Sequence, residues 1–156
     1  MKITLIAVGN KVPDWVDAGV ADYAKRLPRD FRLDIRPVPL AVRTRTANIE
    51  QCIKKESEGI LRLIKPDDHA VALDERGRRF TTMELAGRFD ALRADGINIV
   101  LIAGGPDGLD ESCLGRADET WSLSALTFPH PLVRIVVAEQ LYRVWTVLNG
   151  HPYHRM

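Results

Sequence analysis

The sequence predicts an α/β fold, a mostly parallel sheet covered by helices, within one domain spanning residues 1–156. Near-continuous apolar runs at 2–8 and 97–103 suit strands buried on both faces. Segments with helical spacing of apolar residues separate such runs. Strand and helix alternate along the whole chain, without repeats, low-complexity stretches or a long linker.

In chain order, residues 2–8 form the first strand. Pro13-Asp14 opens a helix whose Val16, Val20, Tyr23 and Leu27 share one face, and Pro28 ends it. Phe31, Leu33 and Ile35 alternate with Arg32, Asp34 and Arg36, a half-exposed strand placed near a sheet edge by Pro37 and Pro39. After a polar loop carrying Arg43 and Arg45, Ile49, Ile53, Ile60 and Ile64 line a second helix. Residues 70–74 read as a short strand that breaks at Glu75-Arg76-Gly77. Thr81 and Glu84 match a capping box, and Leu85, Phe89 and Leu92 form the buried stripe of a third helix ended by Gly96. Residues 97–103 and 121–128 are apolar and strand-like, with a shorter helix at 110–116 between them.

Lys plus Arg number 22 against 21 Asp plus Glu, and the formal charge of +1 provides no global field for drawing in a polyanion. Cys52 and Cys113 are far apart, with no CxxC, which fits a reducing, cytoplasmic setting and argues against a cysteine-ligated metal. No stretch approaches the roughly 18 apolar residues of a membrane span, and the apolar run at 3–8 is too short for a signal sequence. Neither membrane nor metal is expected. His130, His151 and His154 lack neighbouring acidic or thiol ligands at useful spacing. Ser122 and Ser124 lie outside any GxSxG elbow, so a Ser-His-Asp site built with His130 and Asp107 is a poor fit.

Ligands of such sheets bind outside the carboxyl ends of the strands. Here those ends are Leu73-Asp74, Ala103-Gly104 and residues 123–128. Gly104-Gly105-Pro106-Asp107-Gly108 is no dinucleotide or phosphate loop, for it lacks a Lys and Asp107 would repel phosphate. The expected ligand therefore carries no phosphate and is held by backbone groups and apolar walls. The helix after Pro131 is apolar around almost its whole circumference, from Leu132 to Leu148. Part of it is expected to pack against a second copy; docking wholly into its own core is the alternative. On that helix Glu139 and Arg143 stand four apart and can pair across one turn, although Arg143 would serve an RNA phosphate or a developing anion equally well.

The runs Ile102-Ala103-Gly104-Gly105-Pro106-Asp107-Gly108-Leu109, Trp121-Ser122-Leu123-Ser124-Ala125-Leu126-Thr127-Phe128-Pro129-His130-Pro131-Leu132-Val133-Arg134 and Asn149-Gly150-His151-Pro152-Tyr153-His154-Arg155 resemble those of SPOUT methyltransferases. More narrowly, the whole chain resembles the ribosomal large subunit methyltransferase H family, with Ala7-Val8-Gly9 and Pro13-Asp14-Trp15-Val16 also matching. Ala103 and Asp107 depart from some relatives, and neither falls on an expected chemical position.

This resemblance implies a homodimer with a deep C-terminal trefoil knot, S-adenosylmethionine as cofactor, and methylation of N3 of a pseudouridine in large-subunit (23S) rRNA on assembled ribosomes. Ribosomal surface would then supply contacts that the neutral charge of the chain does not. The implied cofactor residues are Leu73, Gly104, Leu123, Ser124, Ala125, Leu126, Thr127 and Phe128. The tail is expected to place Tyr153, His154 and Arg155 over the cofactor of the opposite subunit, with Arg143 nearby. His154 is the candidate base, since an imidazole exchanges a proton near neutral pH. Arg143 and Arg155 would steady the developing anion or grip phosphate, and Tyr153 would stack on the base. Two rivals are a SPOUT enzyme acting on another RNA, such as a transfer RNA, and a ribosome-binding assembly factor without turnover.

Overall fold

A computed structural model describes residues 1–155; Met156, the last residue of the expected domain and tail, lies outside the described residues. Five parallel strands form one sheet: β1 (Ile3–Val8), β2 (Leu33–Val38), β3 (His69–Arg79), β4 (Ile99–Ala103) and β5 (Glu119–Ser122), in the order β2-β1-β4-β3-β5. The two most apolar runs, β1 and β4, lie side by side and every residue of both is buried. Their alternate residues supply two cores. Ile3, Leu5, Leu101 and Ala103 meet one layer of helices, while Ile6, Val8, Val100 and Ile102 meet the other.

The first layer contains α1 (Asp14–Ala24), α3 (Thr82–Ala94) and α5 (His130–Leu148); the second contains α2 (Ile49–Leu61) and α4 (Glu111–Arg116). The capping box opens α3 as expected: Glu84 N–H donates to Thr81 Oγ1 at 3.2 Å, and Thr81 N–H to Glu84 Oε2 at 2.7 Å. Pro37 is accommodated because β2 is an edge strand. No residue of α5 is fully exposed, since α1 and α3 already flank it, yet Leu132, Ile135, Trp145 and Leu148 remain only half-buried.

Several boundaries differ from expectation. Helix α1 stops at Ala24, before Pro28, although Leu27 still packs into the core. Phe31 sits in a short 3₁₀ turn, fully buried 5.8 Å from Phe89. Strand β3 does not end at Glu75-Arg76-Gly77. It changes register there, so that Leu73 and Arg78 both lie opposite Trp121 before pairing resumes. Gly77 permits this, because a Cβ on it would stand 2.6 Å from the Trp121 carbonyl carbon. Finally, β5 stops at Ser122 and residues 123–128 form a loop, not strand. The Ser122 hydroxyl donates to the Ser124 carbonyl at 3.0 Å and Leu126 N–H donates to Ser124 Oγ at 2.9 Å, so serine side chains take backbone groups that a ladder would otherwise use.

Candidate functional site

The register shift of β3 and the carboxyl ends of β4 and β5 open together into a cleft of about 820 Å³, within the size range of small-molecule sites. Parallel pairing dictates this convergence, since it brings Leu73, Ala103 and Trp121 to the same end of the sheet. Of the expected cofactor residues, Leu73, Gly104, Leu123, Ser124, Leu126, Thr127 and Phe128 line the cleft. Ala125 is exposed and lies outside its lining. A smaller cavity of about 430 Å³ shares Leu73, Leu123, Ser124 and Phe128 and runs between α3 and α5. Only the larger one contains the glycine loop.

That loop folds tightly on itself. Gly108, at φ +80°, returns its N–H to the Gly105 carbonyl at 3.1 Å. The wall it presents is bare main chain, and Leu126, 73% exposed, supplies apolar surface at the mouth. The charged lining residues are Asp74, Glu75, Arg76, Asp107 and the ionisable His130. Arg76 already bonds Asp74 at 2.9 Å and holds its carboxyl below the usual range, against the opposing effect of burial. With no lysine and its arginine engaged, the cleft suits a neutral or cationic ligand better than a phosphate.

The expected catalytic group lies elsewhere in the chain. Glu139 Oε1 accepts from Arg143 Nε at 2.9 Å and from the Tyr153 hydroxyl at 3.1 Å, while the Arg143 guanidinium lies 4.9 Å from the Tyr153 ring centre. Burial pushes the Tyr153 phenol up to about 12, with Tyr23 and Glu139 adding to the effect. His154 is half-buried, and its Nδ1 is buried without a hydrogen-bond partner among the described residues. Arg155 is exposed. None of Arg143, Tyr153, His154 and Arg155 lines the cleft of its own chain. The reason is length: α5 begins at the cleft with His130, and its 19 residues carry the chain about 28 Å before the tail starts.

Four neighbours of the cleft were not singled out by sequence reasoning as site residues. Arg134, 4% exposed, donates from Nη2 to the Gly9 carbonyl at 2.5 Å, and its Nε has no partner among the described residues. His130 is held below its ordinary value by burial and then by Arg134, both of which disfavour the charged imidazolium. Glu56 and Arg43 form an ion pair behind the glycine loop. The signal for Glu56 was present: it falls on the same helical stripe as Cys52 and Ile60, an acid on a buried face. Nothing comparable marks Arg43 or Arg134.

The profile of a family described as "predicted SPOUT methyltransferase" matches residues 1–154. Proteins called ribosomal RNA large subunit methyltransferase H from Marinomonas sp. and Saccharophagus degradans are 49% and 48% identical over 155 residues, covering 99% of this chain and 100% of each relative. Among solved structures, a probable methylase family protein from Haemophilus influenzae superposes with a TM-score of 0.55 at 17% identity, over 97% of this chain and 69% of that one. A methylase family protein from Neisseria gonorrhoeae gives 0.53 at 15% identity, over 90% and 81%. The structural likenesses concern the fold alone.

Proposed function

The chain belongs to the SPOUT methyltransferase family and to its ribosomal RNA large subunit methyltransferase H members, and on that premise we propose that it transfers a methyl group from S-adenosylmethionine to N3 of a pseudouridine in large-subunit rRNA, acting on assembled cytoplasmic ribosomes as a knotted homodimer. The observation that carries the reading is the convergence of Leu73, Gly104 and the 123–128 loop on one cleft whose lining holds no lysine. S-adenosylmethionine fits its chemistry: the molecule has no phosphate, carries positive charge at sulfur and at its ammonium, and offers a ribose and base to main-chain groups and apolar walls.

When bound, the cofactor supplies an activated electrophile, a methyl on a sulfonium. The chain must then align the acceptor nitrogen and help it lose its proton. Leu73, Gly104, Leu123, Ser124 and residues 126–128 would hold the donor, with Leu126 and Phe128 offering it apolar surface. His154 takes the N3 proton. Its placement on a tail anchored to α5 through Tyr153 supports that role. Arg143 and Arg155 stabilise the imidate anion or a neighbouring phosphate, and Tyr153 offers its ring to the base.

Because tail and cleft lie at opposite ends of α5, the reaction needs the tail of a second copy. The half-buried apolar residues that α1 and α3 leave on α5 support a self-interface. The reading is tested by methyl transfer from labelled S-adenosylmethionine to ribosomes from cells lacking this modification, with free large subunits and bulk tRNA alongside. Appearance of 3-methylpseudouridine only with assembled ribosomes is the expected result. Labelled tRNA alone would assign another acceptor, and cofactor binding without transfer to any RNA would make the protein a non-catalytic factor.

A further inference from the structure

Behind the glycine loop lies a chain of charges that the reaction itself does not require. Glu56, on α2, is 2% exposed. It accepts the Ala41 N–H at 3.1 Å, Arg43 Nη1 at 2.5 Å and Arg43 Nη2 at 3.3 Å. The same guanidinium donates from Nη1 to the Ala41 carbonyl at 3.0 Å and from Nε to Asp107 Oδ2 at 2.7 Å. Arg43 thereby joins a buried helical acid, the loop between β2 and α2, and the outer edge of the cofactor cleft. The packing is close on the other side as well. A Cβ on Gly105 would meet Glu56 Oε2 at 3.2 Å and Val8 Cγ1 at 3.0 Å, so the carboxylate forms the floor on which the loop rests.

A loop with glycines at 104, 105 and 108 has many alternative conformations. Beyond the Gly105–Gly108 turn, the described side-chain tether of this loop is Asp107 to Arg43. Two carboxylates hold the guanidinium protonated, Glu56 first and Asp107 next, against the opposing effect of burial.

We propose that Arg43 is a positioning residue for cofactor binding: anchored on buried Glu56, it grips Asp107 and holds the glycine loop in the one shape that leaves the cleft open. This rests on the reading that the cleft takes S-adenosylmethionine. Ligand affinity falls in proportion to the population of the competent conformer, so releasing the loop through Arg43, which lies outside the cleft lining, weakens binding without removing a group of the cleft wall.

The test is titration calorimetry of the full-length protein with S-adenosylmethionine. Asp107→Ala leaves the Arg43–Glu56 pair in place and is expected to raise Kd about five- to twentyfold with the melting temperature preserved. Arg43→Lys, whose single ammonium cannot serve both acids, should raise it in the same direction. The double variant should be no weaker than the weaker single, because both changes cut one link. In turnover, KM for the cofactor should rise while kcat at saturating cofactor falls far less, a split that simple loss of folded protein does not produce. Unchanged Kd in Asp107→Ala would overturn the proposal. So would factors that multiply in the double variant, which would mean that Asp107 meets the cofactor directly. Wild-type protein that bound no cofactor would instead overturn the cofactor reading, and this inference with it.

Discussion

Gly104 and Gly108 face each other so closely that a Cβ added to Gly104 would stand 2.6 Å from the Gly108 carbonyl carbon and 2.7 Å from its oxygen. The loop can close only because Gly104 brings no side chain into that gap, while Gly108 contributes a backbone turn at φ +80°. Its closure sets the main-chain wall of the cleft. Gly104→Ala should therefore push the loop apart, raising the Kd for S-adenosylmethionine by at least about tenfold and costing about 1–3 kcal/mol of stability. Calorimetric titration and urea denaturation read the two effects separately.

At the opposite end of the sheet, Glu119 accepts from His69 at 2.8 Å, from Trp121 Nε1 at 2.8 Å and from the Arg88 guanidinium. Burial alone would raise its pKa, but the hydrogen bonds from Arg88, Trp121 and His69 prevail and bring it to about 2, below the ordinary glutamate range. A carboxylate depressed in the folded state adds stability above its unfolded pKa and loses it as pH falls through the folded one. Glu119→Gln should thus destabilise the protein by about 1–3 kcal/mol at neutral pH. The gap between wild type and variant should close as pH falls from 4.5 towards 2. Urea midpoints measured at several pH values check this.

The two functional regions should separate kinetically. His154→Ala is expected to lower kcat about 10²-fold or more if the imidazole takes the N3 proton. Its Kd for S-adenosylmethionine should match wild type, because the cleft lining that would hold the donor is left intact and His154 is assigned to the acceptor nitrogen. Tyr153→Phe removes the hydroxyl held by Glu139 and keeps the ring, so it should cost less than Tyr153→Ala. Single-turnover rates on ribosomes, with binding titrations beside them, give both numbers.

The apolar runs that became β1 and β4 were legible because strands buried on both faces need little but aliphatic residues. The capping box, the edge position of β2 and the extent of α5 were legible for equally local reasons. Residues 123–128 read as strand because they are apolar, whereas their conformation depends on the hydroxyls of Ser122 and Ser124 bonding within the loop. The continuation of β3 past Gly77 depends on how closely the Thr120–Trp121 backbone approaches, which no local pattern encodes. Most of the expected cofactor residues share one cleft because Leu73 lies opposite Ala103 and Trp121 in the parallel ladder, and Gly104 and residues 123–128 follow those partners closely. Arg43 escaped notice for the opposite reason: its partners Glu56 and Asp107 are 13 and 64 residues away, and nothing near it in sequence announces either.

The account turns on a site made from the cleft of one copy and the tail of another, and mixing two inactive variants tests it most directly. Gly104→Val would disable the cleft, and combined His154→Ala and Arg155→Ala would disable the tail. Co-expressed in equal amounts and assayed on ribosomes, they should restore roughly a quarter of wild-type activity, since half the dimers are mixed and each mixed dimer holds one intact composite site. Mixtures as inactive as the separate variants, in dimers shown to exchange subunits, would contradict the shared site and return the tail to the cleft of its own chain.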